Sequence, residues 1–291
     1  MKLIKEGKSK MSVDKKTFLP IGTIKYTLLF LLSILFLFPL YWTFTNSLQP
    51  INGLLALYPS AFHWENYQYA LTYIAFGKYL INSVIITGSS VGLTIISSSL
   101  VGFGFARLKA PGKNMLFIFI LSTMMLPQIV TQIPMYMLFS QVGLTNTYLP
   151  WILWGLGGSA FNIFLFRQYY SGLPKELEEA ARIDGCSTFR IYWNIFLPIS
   201  KSVVITAAIM TFNYFWGTDY LTPFMFLKDD KYPLVTAIMQ IGFADPKDSN
   251  NIEILQVMNA GLMLFMIPII FLFFLGQRYL AEGIISSGVK G

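Results

Sequence analysis

Long apolar runs separated by short polar segments dominate the chain. An α-helix that crosses hydrocarbon needs about 20 mostly apolar residues. Six stretches meet that requirement: Ile24–Trp42, Tyr79–Ala106, Met115–Phe139, Tyr148–Phe166, Val203–Leu227 and Ile254–Gln277. From Asn114 to Phe166 there is no Asp, Glu, Lys or Arg. That run is too long for one crossing, and Gly143-Leu144-Thr145-Asn146-Thr147 supplies a turn between two. Between Leu28 and Leu40 the first stretch carries almost nothing but Leu, Ile and Phe. Insertion of that segment is favoured by about 3–7 kcal/mol before polar costs. With no small-x-small cleavage site behind it, it is expected to stay as an anchor. The pattern predicts an all-α integral membrane protein with six transmembrane helices.

Composition agrees. Only 12% of the 291 residues are charged, about half the usual share of a soluble domain. One cysteine (Cys186) excludes a disulfide framework, and one histidine (His63) excludes a histidine-based metal cluster. No metal site is expected. The net charge of +7 suggests nucleic acid until the cations are mapped. Of 21 basic residues, all but Lys78, Lys228, Lys231 and Lys247 fall on one side of a six-span chain. The positive-inside rule makes that side cytoplasmic and places both termini there. The N-terminal lysine run then sets topology and meets anionic lipid, with no nucleic acid partner. Expected boundaries are a cytoplasmic segment at 1–23, a membrane domain at 24–279 and a cytoplasmic tail at 280–291. The outer loops fall near 43–78, 140–147 and 228–253.

The inner stretch 167–202 is too patterned for a simple connector. Pro174 suits a first helical turn, and Glu176, Glu178 and Glu179 favour its positive end. Gly185 suits a left-handed C-terminal cap, and Ser187 can cap a second helix that runs to Pro198. Two short helices at a glycine bend are expected over 172–200. Ala180 and Ala181 leave a surface that another protein can approach closely. The competing reading is an amphipathic hairpin on the lipid surface, which the acidic first helix disfavours.

Glu179-Ala180-Ala181, then Asp184-Gly185 and Leu197-Pro198, resembles the EAA loop of binding-protein-dependent ABC importer permeases. From about residue 20 to the end, the chain resembles the carbohydrate-uptake branch of that family, which includes the smaller maltose-transporter permease subunit. Asn66-Tyr67, Asn82-Ser83, Met124-Met125-Leu126-Pro127, Ile133-Pro134, Gly143-Leu144 and Asn146-Thr147, and the tail Gly288-Val289-Lys290-Gly291 carry the likeness. It departs at Cys186, Ser202 and Gly217-Thr218, where relatives usually have Ala, Pro and Trp-Asn. The resemblance implies a type I ABC importer permease fold in a bacterial cytoplasmic membrane. It implies four kinds of neighbour: a second homologous permease subunit, two copies of an ABC ATPase, an extracytoplasmic sugar-binding protein and the bilayer. Glu179, Ala180, Ala181, Asp184, Gly185, Leu197 and Pro198 would then couple to the ATPases. The C-terminal Val289-Lys290-Gly291 would reach the ATPase interface, unless it is a frayed end.

The chain has no phosphate-binding loop of its own. Gly7-Lys8-Ser9 imitates the end of one, but Lys2 stands where the first glycine belongs. No cofactor is expected here, and the family implies ATP and Mg in the ATPase subunits. Within the spans, Gly88 and Gly92 place two small residues on one helix face, a pattern for packing within the permease or against its partner. Pro127 and Pro134 are expected to break the third span. Asp219 is the acidic residue set well inside a span, with Asn213, Tyr214, Trp216 and Tyr220 near it. These five form the candidate substrate pathway, against the alternative of a subunit interface. Phe243, in the outer segment before Pro246, is a candidate contact for the binding protein, and a plain solvent turn explains the segment equally well. A self-contained secondary carrier or channel should show internal repeats and paired mid-membrane charges. A membrane enzyme should show a catalytic cluster. The chain has neither.

Overall fold

The computed structural model describes residues 21–245, 247 and 254–288. The N-terminal lysine run, Pro246, Asn250-Asn251 and the tail Val289-Lys290-Gly291 lie outside the described residues. Every regular element among the described residues is helical, with no β-strand.

The first helix, α1 (Ile21–Ser47), crosses between two units, Met1–Trp42 and Thr43–Gly291. Up to Trp42 it is an uninterrupted apolar rod with Phe30, Leu35 and Phe36 exposed, as expected of a helix whose solvent is lipid. The second unit holds α2 (Glu65–Thr72), α3 (Phe76–Arg107), α4 (Lys113–Thr123), α5 (Gln128–Gln141), α6 (Leu149–Gly157) and α7 (Ala160–Gly172). An amphipathic helix α8 (Glu176–Ile183) follows, and then α9 (Thr188–Ile199), whose middle turn Tyr192–Phe196 is π-helical. Beyond it come α10 (Lys201–Asn213), α11 (Leu221–Phe226), α12 (Leu234–Gln240) and α13 (Leu255–Gly288).

Helix α3 is the axis of this unit. It packs along α6 and α7 and also against α10, which in turn lies on α13. Small residues permit the close approach. A Cβ on Gly102 would stand 2.6 Å from Phe166 Cβ, and one on Gly155 would stand 2.8 Å from Leu93 Cβ. In lipid, where apolar side chains gain nothing by leaving the solvent, such fit is what joins helices. Two apolar cores form at opposite ends of α3. One gathers Tyr79, Trp151, Phe226, Leu234, Phe243 and Val257. The other gathers Phe103, Phe166, Tyr170, Ile191, Tyr192 and Phe196.

Among the described residues, four helices are long and apolar enough to span a membrane, and up to six if each bent pair counts as one span. The bends are sharp: 99° between α4 and α5, and 79° between α9 and α10. The first bend corrects the sequence expectation for the third span. Pro127 sits at the break in extended geometry, but Pro134 lies inside an unbroken α5. Pro134, the seventh of fourteen residues, forgoes one i→i−4 bond without breaking the helix. The fourth span has a break that was not expected, at Gly158 (φ +75°), between α6 and α7. The fifth does not run straight to Leu227 either, because a π-helical turn over Tyr214–Thr218 ends at Asp219.

The resemblance motifs turn out to be structural clamps. Asn66 Nδ2 donates to the carbonyls of Ser47 (2.9 Å) and Gln49 (2.8 Å), and Tyr67 Oη is 2.8 Å from Ser47 Oγ. Asn82 Nδ2 donates to Tyr232 O (3.0 Å), and Ser83 Oγ accepts from Leu234 N (2.7 Å). Together Asn82 and Ser83 fix α12 onto the start of α3. Asn146 adopts φ +55°, donates its N–H to Phe226 O (2.6 Å) and accepts from Lys228 N (3.2 Å). His63 Nδ1 lies 2.6 Å from Glu65 Oε1, a local pair that holds the Glu65 carboxyl below the ordinary carboxylate range.

Candidate functional site

Two regions answer to the sequence-predicted residues. The first is the elbow formed by α8 and α9. Three acidic residues open α8, and Arg182 closes it in an i,i+4 pair with Glu178 (2.7 Å). The helix starts at Glu176, so Pro174 stands just outside it. Gly185 takes φ +76°, and Cys186 N donates back to Ala181 O (2.9 Å), a left-handed cap that turns the chain sharply. Ser187 Oγ then accepts from Arg190 N (3.3 Å) and caps α9. Pro198 does not stop α9, which runs on to Ile199 and bends at Ser200. The π-helical turn just before Pro198 shifts the hydrogen-bond register where the proline has no N–H to offer.

The elbow has an inner and an outer face. Ala181 is buried and Leu197 half-buried in the Phe103–Tyr192 core, while Glu179, Ala180, Asp184, Gly185 and Pro198 are exposed. Ile183 is 86% exposed beside them, and Phe189 and Trp193 add further uncovered apolar surface. Beneath, the elbow is tied to the spans. Arg107 Nη2, at the end of α3, donates to Tyr170 O and Leu173 O, each at 2.6 Å, with its guanidinium 4.9 Å from the Phe196 ring centre. Ser99 Oγ bridges Tyr170 Oη (2.6 Å) and Tyr192 Oη (3.2 Å). The result is an exposed lever held against α3 and α7 by the buried Tyr192–Ser99 bond and by edge-to-face and tilted ring contacts of Tyr192 and Phe196 with Phe103 and Tyr170. Sequence reading missed the bolt, because Ser99, Arg107, Tyr170 and Tyr192 meet only across more than 60 residues of chain.

The second region is a pair of cavities between α5, α6 and α10, of about 330 Å³ and about 230 Å³. They share Trp154, Tyr214 and Phe215 as a common wall. Gln128, Thr131, Gln132 and Asp219 line the smaller one. Asp219 Oδ1 accepts from Thr222 N (3.2 Å) and Thr222 Oγ1 (2.6 Å), so it also caps α11. Gln132 Nε2 donates to Thr222 Oγ1 (3.1 Å), and Gln132 Oε1 is buried without a partner. Amides, hydroxyls and a carboxylate beside aromatic faces suit a polyhydroxylated ligand. The larger cavity adds Asn162, whose Nδ2 donates to Thr211 Oγ1 (2.9 Å).

This geometry divides the predicted pathway stretch. Tyr214 and Asp219 face the cavities. Trp216 does not: its Nε1 donates to Phe265 O (3.2 Å), and its ring stacks between Phe212 and Phe265. Asn213 and Tyr220 are exposed but line neither cavity. A π-helical turn rotates successive side chains differently from an α-helix, so nearness in sequence does not give a shared face.

One further expectation is corrected and one is narrowed. Phe243 is fully buried, packed against Gly261, and cannot probe a partner from the surface. Of the two options for Gly88 and Gly92, packing within the permease or against its partner, the first finds no close approach inside this unit: a Cβ on either would meet nothing within 4 Å. They line an open apolar groove of about 570 Å³ with Ile205, Ile209 and Leu272. The glycines that pack α3 are Gly102 and the facing Gly155.

Comparison with known proteins agrees with this architecture. A family described as "binding-protein-dependent transport system inner membrane component" matches residues 98–286. The chain is 34% identical over 275 residues to the probable ABC transporter permease protein YurM of Bacillus subtilis (strain 168), covering 92% of this chain and 89% of that one. It is 30% identical over 280 residues to the arabinooligosaccharides transport system permease protein AraQ of the same organism, covering 92% and 96%. To that organism's melibiose/raffinose/stachyose import permease protein MelC it is 30% identical over 259 residues, covering 87% and 91%. Its fold is similar to a chain in the crystal structure of a bacterial ABC transporter involved in import of the acidic polysaccharide alginate. That match has a TM-score of 0.76 and 21% identity over 89% of this chain and 95% of that one. Matched along two thirds of its length, the chain belongs to the inner-membrane components of binding-protein-dependent transport systems, as a multi-pass ABC transporter permease.

Proposed function

We propose that this permease forms, with a second homologous permease subunit, the membrane pathway of an ATP-driven importer for an oligosaccharide or related sugar. Two copies of an ABC ATPase bind beneath it and carry the ATP and Mg, and an extracytoplasmic binding protein delivers the sugar. Relatives whose names specify arabinooligosaccharides, melibiose, raffinose and stachyose, and starch degradation products support the sugar class. Six spans with both termini cytoplasmic follow if each bent pair is one crossing. The domain limits are then 1–23, 24–279 and 280–291, with the coupling loop at 172–200.

The observation that carries this reading is the elbow. Glu179, Ala180, Asp184 and Gly185 lie exposed on a lever whose second helix meets α3 through Tyr192–Ser99 and Phe196–Arg107 and shares an apolar core with α7. A groove on an ATPase that accepts α8 moves it as a rigid body when the ATPases close. Because the lever cannot flex at its base, the motion passes to the spans and switches access. Tyr214, Asp219, Gln128 and Gln132 are positioned to meet sugar hydroxyls, with Trp154 offering a ring face. The Gly88–Gly92 groove is then an outward surface available to the partner permease.

The test is Gly185→Val. There is room for the new side chain, but φ of +76° is hostile to a β-branched residue, at a cost of about 1–3 kcal/mol. The bend should open, abolishing binding-protein-dependent sugar uptake while membrane insertion stays at wild-type level. Normal uptake by this variant overturns the coupling role.

A further inference from the structure

A basic pocket lies where the end of α3, the start of α4 and α8 converge, and neither the elbow nor the cavities explain it. Its volume is about 630 Å³, and Arg107, Lys109, Lys113, Lys175 and Arg182 line it. Glu178 and Glu179 supply its negative charge, and Glu178 is already committed to Arg182 at 2.7 Å. Cations therefore exceed carboxylates by three. Lys113 Nζ donates to Leu108 O (2.6 Å), whereas Lys109 and Lys175 form no ion pair with any described residue. Arg107 spends one nitrogen on two carbonyls, but its Nε is buried and has no hydrogen-bond partner.

Next to this charge lies a lipid-like wall. Leu108, on the pocket rim, and Met115, Leu116, Ile118 and Phe119 on α4 are all exposed, Met115 by 79%. The pocket sits at the end of a membrane-spanning helix, where hydrocarbon gives way to headgroups. A small soluble anion would use the cations and ignore that wall. A molecule with an anionic head and long apolar tails uses both, and basic pockets at helix ends are suited to such headgroups.

We propose that this pocket holds the phosphodiester headgroup of an anionic phospholipid, with its acyl chains along Met115, Leu116 and Phe119. The headgroup satisfies the surplus cations, and the chains cover apolar surface on α4. Because Lys175 and Glu179 flank the pocket, the lipid fills the space beneath α8 and steadies the elbow. The assignment does not depend on the import reading, since it requires only that α3 end at a membrane surface.

The test is native mass spectrometry of the full chain in detergent, titrated separately with phosphatidylglycerol and phosphatidylcholine. Retention of phosphatidylglycerol should be about tenfold stronger in the wild type. The double variant Lys109→Gln/Lys175→Gln should bring the two lipids to within about twofold of each other. Both lysines are exposed, so the fold should persist; Lys113→Gln gives a second, milder loss at the same pocket. Lys228→Gln, far from the pocket in the chain, should leave the preference unchanged. Equal retention of the two lipids by the wild type overturns the proposal, as does an undiminished preference in the double variant. Displacement of phosphatidylglycerol by millimolar inorganic phosphate assigns the site to a free anion instead. Loss of the bound lipid when an ATPase subunit is added assigns it to a protein surface.

Discussion

Ser99 is an unassuming residue in the sequence, one of a run of three serines in a long apolar helix. In the fold its hydroxyl lies between two buried tyrosines and serves both. Ser99→Ala removes the hydroxyl partner of the buried Tyr192 and one of the two that serve Tyr170, and an unmet buried polar group costs about 1–3 kcal/mol. A lower melting temperature in detergent is expected for this variant. Ser89→Ala should shift it little, because Ser89 Oγ bonds only the carbonyls of its own helix, at Ile85 and Ile86. Residues of this kind are poorly legible in sequence. Glu179, Ala180 and Gly185 could be read because their motif is local and its cap chemistry depends on neighbours a few positions away. Asp219 could be singled out because a carboxylate is rare inside a span, but its companions Gln128, Gln132 and Trp154 come from two other helices.

At the level of helices, length and apolar content were readable, whereas breaks and contact faces were not. Pro127 and Pro134 look alike in the sequence, yet only the first marks a bend, and the second is carried in the middle of a continuous α5. Helices α2 and α12 escaped notice for a different reason. Each has eight residues or fewer, and α12 is buried nearly all round, so neither displays a sustained amphipathic period. The same ambiguity left open which glycines of α3 pack within the chain and which face outward. Four-residue spacing identifies a smooth stripe, but which part of a 32-residue helix meets a neighbour depends on where that neighbour crosses. Gly102→Ala should therefore destabilise the chain by about 1–3 kcal/mol through overpacking against Phe166. Gly88→Ala should leave the stability of the isolated chain unchanged. Thermal unfolding of the two variants side by side separates these outcomes, and equal effects would contradict the contact geometry.

For the molecule as a whole, the decisive property is sidedness. If the elbow faces the cytoplasm, Ile183→Cys in a Cys186→Ser background should react with a membrane-impermeant maleimide in inside-out vesicles and stay unlabelled in intact cells. Ile183 is suited to this because its side chain is 86% exposed. Labelling from outside would remove the ATPase from its proposed position and invert the whole topology. Two apolar cores lie at the two ends of α3, and under the proposed coupling a rigid movement of the elbow travels along that helix.

The sequence alone determined that this chain is a helical membrane protein, roughly where its apolar spans lie, and that the segment between the fourth and fifth of them is built as a capped elbow. Those properties follow from local facts: runs of apolar side chains, charge counts and cap residues act over a few turns. Only the tertiary structure decided which residues share a wall, which glycines touch and which aromatic ring is core. It turned Phe243 from a probe into filling, separated Trp216 from Tyr214, and joined Arg107 to the base of the elbow. Such relations depend on how helices cross and where a π-helical turn resets their register, and neither is encoded in any short stretch of chain.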